Sequence, residues 1–135
     1  MPVIMDKTRS FTPGTDTWVG SLSQEGPYAV VFEDDGETGY FYAANGLDDD
    51  IDIYDALHIY TVDDRSEKSR SVESVVKIGW SPSGEQAVLM LNDLAHAVFD
   101  FAAKKGWCRD DYPPSNGDWS KDGHAWNDDA LRFFR

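Results

Sequence analysis

Aspartates crowd one short stretch of the chain, GLDDDIDIYDALHIY. Asp48, Asp50 and Asp52 are spaced like the first three oxygen ligands of an EF-hand calcium loop. Such a loop also needs a glycine at its sixth position and a glutamate at its twelfth, where this chain has Ile53 and Ile59. The sequence therefore excludes an EF-hand, and we expect no cofactor and no specific metal site. Whether the aspartates bind a divalent cation weakly stays open.

Asp55, His58 and His96 are the polar residues that could line a catalytic pocket. Acid/base catalysis needs groups whose environments separate their pKa values, and the apolar neighbours of Asp52 and Asp55 could partly bury one of the two. The simpler interpretation is a strand on which polar and apolar side chains alternate. The chain contains no zinc-binding spacing, P-loop, dinucleotide-binding motif or serine-hydrolase motif. We therefore assign no catalytic residue.

The negative charge is concentrated in one part of the chain. Positions 10–64 hold thirteen Asp and Glu residues and no Lys or Arg, whereas the formal net charge of the whole chain is -13. Such a field repels nucleic acids and anionic membranes, because binding either requires basic side chains. It favours a basic protein partner, although a merely solubilising surface would look the same. The residues predicted to form the acidic contact surface are Asp34, Asp35, Glu37, Asp48, Asp49 and Asp50.

Length and composition predict one folded domain. The chain has 135 residues, of which 41% are hydrophobic and 13% aromatic, enough for one core. It has no apolar run of about 18 residues and no secretory signal pattern. Its single cysteine, Cys108, cannot form an internal disulfide and is expected to be a small buried side chain. These features predict a cytoplasmic protein.

The sequence predicts that these residues are positioned by an α+β fold. It is expected to be mainly antiparallel β-sheet with one or two helices in the C-terminal third. Residues 1–16 are expected to be loosely ordered. Two hairpins are predicted, YAVVFEDDGETGYFYAA with an Asp35-Gly36 turn, interior to a sheet, and VESVVKIGWSPSGEQAVLMLN. LHIYTV is a further strand, and DDRSEKSRS is a surface loop. Residues 94–105 are predicted as a helix capped by Asn92 or Asp93, with a strand through HAVFDF as the alternative. An irregular passage whose aromatic side chains dock on the sheet is followed by a short final helix.

Several sequence blocks occur in a characteristic order: FEDDGETGYFYA, DALHIY, WSPSGEQAVLMLND, HAVFDF and GWCRDDYPP. With these blocks the chain resembles a family of small, acidic bacterial proteins defined only as a domain of unknown function. The resemblance implies a bacterial, free-standing domain and assigns no chemistry to any residue. The aspartate run GLDDDI lies outside the blocks.

Three kinds of function remain open from the sequence. The first is a non-catalytic domain that binds a basic protein through its acidic surface, as in toxin immunity. The second is an enzyme that uses carboxylate and histidine chemistry, with or without a metal. The third is a structural role in an assembly, because the sequence does not define an oligomeric state.

Overall fold

The chain forms two antiparallel sheets in the computed structural model, which describes residues 3–46, 51–62, 73–114 and 117–135. One sheet has five strands in the order β1-β6-β7-β8-β9, and the other has four in the order β2-β3-β4-β5. The strands are β1 (Ile4–Phe11), β2 (Thr17–Leu22), β3 (Ala29–Asp34), β4 (Thr38–Ala44), β5 (Ile53–Thr61), β6 (Ser74–Trp80), β7 (Gln86–Leu91), β8 (Leu94–Asp100) and β9 (Lys105–Cys108).

The core lies between the two sheets. Alternate residues of each strand point inward, so Phe32 and Phe41 of the four-stranded sheet meet Ile78, Leu89 and Phe99 of the five-stranded sheet. All five side chains are completely buried, and the Phe41 and Phe99 rings stack with centroids 5.2 Å apart. The architecture is therefore a β-sandwich, which confirms the predicted predominance of antiparallel sheet.

Both predicted hairpins are present. In the first, β3 pairs with β4 and the two strands occupy the interior of their sheet, as expected. Gly36 adopts a φ of +98° in the connecting turn, a conformation that glycine accepts without strain. In the second hairpin, β6 pairs with β7 across a turn that contains Pro82 and Gly84. The LHIYTV strand is the C-terminal part of β5, whereas the DDRSEKSRS loop lies outside the described residues.

The helix predicted over residues 94–105 is wrong. Those residues form β8, a turn and the start of β9. Asn92 and Asp93 are the two central residues of a tight hairpin turn between β7 and β8, with φ values of 51° and 68°. Positive φ at both positions matches the right-handed twist of the paired strands, and Asn and Asp tolerate it. They therefore join two strands and do not cap a helix.

The prediction for the N-terminus is wrong where the structure describes it, whereas the prediction for the C-terminus is confirmed. Residues 1–16 are not loosely ordered where they are described, because Ile4–Phe11 forms β1 and pairs with β6. The predicted final helix is confirmed as a 3₁₀ helix, Asp128–Phe134, whose N-cap Asn127 accepts a hydrogen bond from the Asp129 N–H. It is the one helix within the described residues, so the helical content is smaller than an α+β fold implies.

The passage that follows β9 closes one side of the sandwich. The backbone N–H of His58 on β5 donates to the carbonyl of Tyr112 at 2.7 Å, and that of Cys108 on β9 donates to the carbonyl of His124 at 2.9 Å. Trp119 is buried against Phe99 and Phe101, which confirms the expected docking of aromatic side chains. The passage thus satisfies backbone groups that an edge strand would leave unpaired.

The outer faces of the two sheets differ. The 3₁₀ helix covers the five-stranded sheet, where Ala130 packs with Val88 and Val98. Among the residues that the structure describes, no element covers the outer face of the four-stranded sheet in this way. That face therefore becomes the candidate contact surface.

Candidate functional site

Aromatic and aliphatic side chains are exposed on the outer face of the four-stranded sheet. Trp18 on β2 is 48% exposed and Ile53 on β5 is 56% exposed. Between them, Tyr40 and Tyr42 of β4 stack with ring centroids 5.8 Å apart. We call this surface the aromatic face, which consists of Trp18, Val31, Glu33, Tyr40, Tyr42, Ile53 and His58.

A shallow groove of about 190 Å³ occupies one end of the aromatic face, between Trp18 and Ile53. Tyr42 lies in its lining, and its hydroxyl donates to Glu33 at 3.4 Å. Burial, together with the Glu33 carboxylate, raises the pKa of Tyr42 to about 12. The tyrosine therefore stays protonated, and the groove combines apolar walls with one carboxylate.

An open depression of about 430 Å³ lies at the other end, around His58. Two tyrosine rings stand edge-on to the imidazole, with centroid distances of 5.4 Å for Tyr40 and 5.7 Å for Tyr112. The Nδ1 atom of His58 contacts the Asp110 carboxylate, and its Nε2 atom lies 2.9 Å from the Thr61 hydroxyl. Thr38 also lines the depression. Polar groups thus converge at this end of the face.

The negative potential at this end affects Tyr40. Burial raises the pKa of its hydroxyl, and the neighbouring Tyr112, Asp110 and Asp35 groups raise it further. Asp35 itself is exposed, and hydrogen bonds from the backbone N–H groups of Glu37 and Thr38 lower its pKa. Asp35 therefore stays ionised and contributes to a field that attracts cations.

The residues predicted for the acidic contact surface fall into three groups. Asp35 and Glu37 are exposed in the turn between β3 and β4. Asp48, Asp49 and Asp50 lie outside the described residues, so their part in a contact surface stays a prediction.

Asp34 forms the third group and requires a correction. It is only 1% exposed, and its carboxylate accepts hydrogen bonds from the N–H groups of Gly14 and Gly36 and from the Tyr60 hydroxyl. Burial and the Asp34 hydrogen bond also raise the pKa of Tyr60. Asp34 therefore ties a loop, a turn and β5 together instead of facing a partner.

The predicted pocket of Asp55, His58 and His96 does not exist as a unit. Asp55 points toward the core side of β5 and pairs with His124, whereas His58 lies on the outer face and contacts Asp110. His96 is on β8, in the other sheet, where burial and the charge of Arg109 lower its pKa. Alternation along β5 separates Asp55 from His58, because side chains three positions apart on a strand face opposite ways.

A buried polar cluster forms around Asp55. Its carboxylate accepts from His124 Nε2 at 2.9 Å and from the Ser120 hydroxyl at 2.6 Å. The other ring nitrogen of His124 donates to the carbonyl of Pro113 at 2.5 Å. Burial lowers the pKa of His124, but Asp55 and the Pro113 carbonyl outweigh burial, so the net pKa is raised. Both ring nitrogens face acceptors, an arrangement that favours the protonated imidazolium.

Gly106 allows this cluster to sit against β9. A Cβ atom at that position would lie 2.8 Å from the Phe99 ring and 3.0 Å from the Asp55 carboxylate. Its N–H also donates to the Ser120 hydroxyl at 2.8 Å. The cluster is buried, with Ser120 and His124 each 1% exposed, and its hydrogen bonds hold the passage after β9 against β5 and β9.

Cys108 has the properties of a buried structural residue. Its side chain is completely buried, and burial raises the pKa of the thiol to about 11. The thiolate that nucleophilic chemistry needs is therefore scarce at neutral pH.

Two further properties concern only the part of the chain that the structure describes. Within it, no three His, Cys, Asp or Glu side chains converge as a metal site would require. No helix in the described ranges is both long enough and apolar enough to cross a membrane.

Sequence reasoning missed the three residues that complete these clusters, Asp110, Ser120 and His124. They lie 52, 65 and 69 positions from their partners on β5. All three lie in the irregular passage after β9, where no repeating pattern indicates which way a side chain points. The only available signal was that GWCRDDYPP and HAW carry polar residues among aromatics.

With this geometry established, comparison with known proteins identifies the family. A family described as an uncharacterised protein conserved in bacteria (DUF2251) matches residues 11–135. The chain belongs to this family. The resemblance inferred from the sequence blocks is thereby confirmed.

The chain is also similar to a protein of Haemophilus influenzae that is named as an uncharacterised protein. It is 45% identical to this chain over 86 residues, which are 64% of this chain and 52% of the relative. The chain thus spans about half the length of the curated relative that it matches. No solved structure matches the chain.

Proposed function

We propose that this DUF2251 chain is a non-catalytic domain that binds a basic protein through the aromatic face. One observation carries the proposal: the face exposes Trp18 and Ile53, with the half-buried Tyr42 ring between them, on a sheet whose sequence, within positions 10–64, contains no Lys or Arg. Exposed aromatic side chains supply most of the binding energy in protein interfaces. The surrounding carboxylates supply long-range attraction for a cationic partner.

Acidic side chains flank both ends of the aromatic face. Asp35 and Glu37 are exposed in the turn at the His58 end, and Asp52 is exposed in the connection at the Ile53 end. A partner that covers the face would therefore meet apolar contacts at the centre and opposite charge at the rim, the usual anatomy of a protein interface. Neutralisation of a basic toxin is a role of this kind.

The proposal predicts two separable effects on binding. The full chain serves as bait for a lysate, and captured proteins are identified by mass spectrometry and purified for calorimetry. Trp18→Ala should weaken binding of a basic partner by roughly tenfold or more, because it removes an aromatic contact. Glu37→Lys with Asp52→Lys should slow association and reduce the salt dependence of the rate.

The matched control is Asp122→Lys with Asp129→Lys, which makes the same charge change on exposed residues outside the aromatic face. It should bind the partner with nearly unchanged affinity. Loss of binding in the control alone, or equal binding by the wild type and Trp18→Ala, would contradict the proposal.

A second candidate, hydrolysis, is supported by the chain of hydrogen bonds from Thr61 through His58 to Asp110. A hydroxyl, a base and an orienting carboxylate in this order can perform acyl transfer. Thr61 Oγ1 would attack an ester carbonyl while His58 takes its proton and then returns it to the departing alcohol. Water would then release the acyl group from Thr61.

Hydrolysis of p-nitrophenyl acetate tests this candidate. Thr61→Val keeps the shape of the side chain and removes its hydroxyl, so the rate should fall to the background given by free imidazole. His58→Gln should have the same effect. A wild-type rate equal to that of Thr61→Val eliminates the candidate.

A further inference from the structure

We propose that the depression around His58 is a binding pocket for an arginine side chain, and that it anchors the basic partner. The inference rests on the proposed function, because it names the partner group that one end of the aromatic face would take. It is carried by the lining of the depression: Thr38, Tyr40, His58, Thr61, Asp110 and Tyr112.

The first argument is charge. Asp110 is the one carboxylate in this lining, which contains no Lys or Arg. Its side chain is 41% exposed, so an incoming group can reach it, whereas the His58 side chain is only 16% exposed. Asp35, exposed in the neighbouring turn between β3 and β4, adds to the same negative field. A cation is therefore attracted to this end of the face and an anion is repelled.

The second argument is shape. Tyr40 and Tyr112 offer two aromatic rings around the imidazole of His58, and Thr38 and Thr61 offer hydroxyl oxygens. A guanidinium group is planar, stacks on aromatic rings and donates several hydrogen bonds in a fork. An ammonium group is a compact, strongly hydrated point charge and uses such a lining poorly. The depression thus fits arginine better than lysine.

The third argument is that the carboxylate is already positioned. Asp110 Oδ2 contacts His58, and Oδ1 accepts from the N–H of Tyr112 at 3.2 Å. The Cys108 thiol also donates to Oδ1 at 3.5 Å, so the lone pair that remains available to a donor is on Oδ2, because a carboxylate oxygen accepts more than one hydrogen bond. A pre-positioned acceptor loses little freedom when the ligand arrives.

N-acetyl-L-argininamide is the probe, with N-acetyl-L-lysinamide as its matched competitor. Titration of the isotope-labelled full chain by NMR should give saturable shifts confined to the amides of His58, Thr61 and Tyr112. We expect a dissociation constant of about 1 to 10 mM for the arginine probe, since one small group makes few contacts. The lysine probe should bind at least about fivefold more weakly.

Two variants and a control test the assignment. Asp110→Asn should weaken binding of the arginine probe by roughly tenfold, because a neutral amide replaces the charge. Tyr112→Leu removes one ring without touching the carboxylate, and it should also weaken binding. Asp129→Asn makes the same charge change on the 3₁₀ helix over the other sheet and should leave binding unchanged. Preserved spectral dispersion shows that each variant remains folded.

The outcomes separate this inference from the proposed function. Equal binding of both probes, shifts spread over many acidic residues, or unchanged binding in both site variants would overturn the arginine pocket. A basic partner that needs Trp18 but tolerates Asp110→Asn and Tyr112→Leu would overturn the anchor while leaving the proposed function intact. Local, arginine-selective binding that both site variants weaken, with a partner that also needs Asp110, supports the inference.

Discussion

Asp55 illustrates how burial and pairing decide the role of a single carboxylate. An isolated charge at a site this buried would be strongly unfavourable, but His124 and Ser120 supply three hydrogen bonds to its oxygens. Removing one member of such a pair leaves the other charge buried without a partner. The pair therefore makes the packing of the passage after β9 depend on a proton held by His124.

The raised pKa of His124 predicts a pH-dependent stability. The folded protein binds this proton more tightly than the unfolded chain, in which histidine titrates with its ordinary pKa of 6.5. The stabilisation is complete below that pH and is lost as pH rises through the folded pKa. His124→Gln should lower the free energy of unfolding by about 3 kcal/mol at acidic pH and by less at alkaline pH. Urea unfolding from about pH 5 to about pH 9 measures both.

His96 provides the control, because its shift has the opposite sign. Burial and Arg109 lower its pKa, so its contribution is present above pH 6.5 and is lost as pH falls. His96→Gln should therefore change stability most at alkaline pH. A His124→Gln deficit that grows with rising pH would contradict the buried imidazolium.

Sequence reasoning reached part of this result at the residue scale. It expected that either Asp52 or Asp55 is partly buried, because apolar residues surround both in the chain, and the structure buries Asp55. It could not find His124, which lies 69 positions away in a passage without a repeating pattern. Asp34 was wrongly predicted to be on the surface for a related reason. Glu33, Asp34 and Asp35 follow one another in the chain, and residue type alone does not show that Asp34 is the buried one, which accepts hydrogen bonds from Gly14, Gly36 and Tyr60.

At the scale of elements, the turn at Asn92 and Asp93 decided between helix and strand. Either residue could cap a helix, and the Ala-rich segment that follows favours one. The alternation of Ala97, Phe99 and Phe101 favours a strand, and burial on both faces of β8 hid part of that pattern. The strand is the more stable alternative because β8 pairs with β7 on one side and with β9 on the other, which satisfies its backbone hydrogen bonds along both edges.

Two substitutions at Asp93 test the positive-φ turn. Both Asp93→Gly and Asp93→Val remove the contact of Asp93 with Lys77, so their difference isolates the backbone. Glycine accepts a φ of 68° freely, whereas a β-branched side chain is strained there. Asp93→Val should be less stable than Asp93→Gly by about 1 to 2 kcal/mol in urea unfolding. Equal stability of the two variants would contradict a positive φ at Asp93.

At the scale of the whole molecule, the two sheets differ in how far their outer faces are covered. One sheet has its outer face covered by the 3₁₀ helix, and the other presents the aromatic face. Positions 10–64, which contain no Lys or Arg, include every strand of the four-stranded sheet. The acidic segment and the uncovered sheet thus coincide, which is the basis of the proposed contact with a basic partner.

Much of the architecture followed from local patterns, because antiparallel hairpins are encoded by neighbouring residues. The β3–β4 and β6–β7 hairpins, their turns and the β5 strand were all predicted. The pairing of β1 with β6 was not, since Ile4 and Trp80 are far apart in the chain and β1 is exposed along most of its length. The depression around His58 was predicted only in part. His58 was a predicted pocket residue, whereas Asp110, Tyr40 and Tyr112 were not.

Residues 110–126 come after all nine strands that the structure describes, and this order matters during synthesis. The strands of both sheets leave the ribosome first. The passage whose carbonyl groups accept from the N–H groups of His58 and Cys108 follows them. A nascent chain that has emerged only as far as β9 holds two bare strand edges and an Asp55 carboxylate without its counter-ion. Such edges attract other chains. These two edges therefore stay open to other chains until residues 110–126 have also emerged and docked.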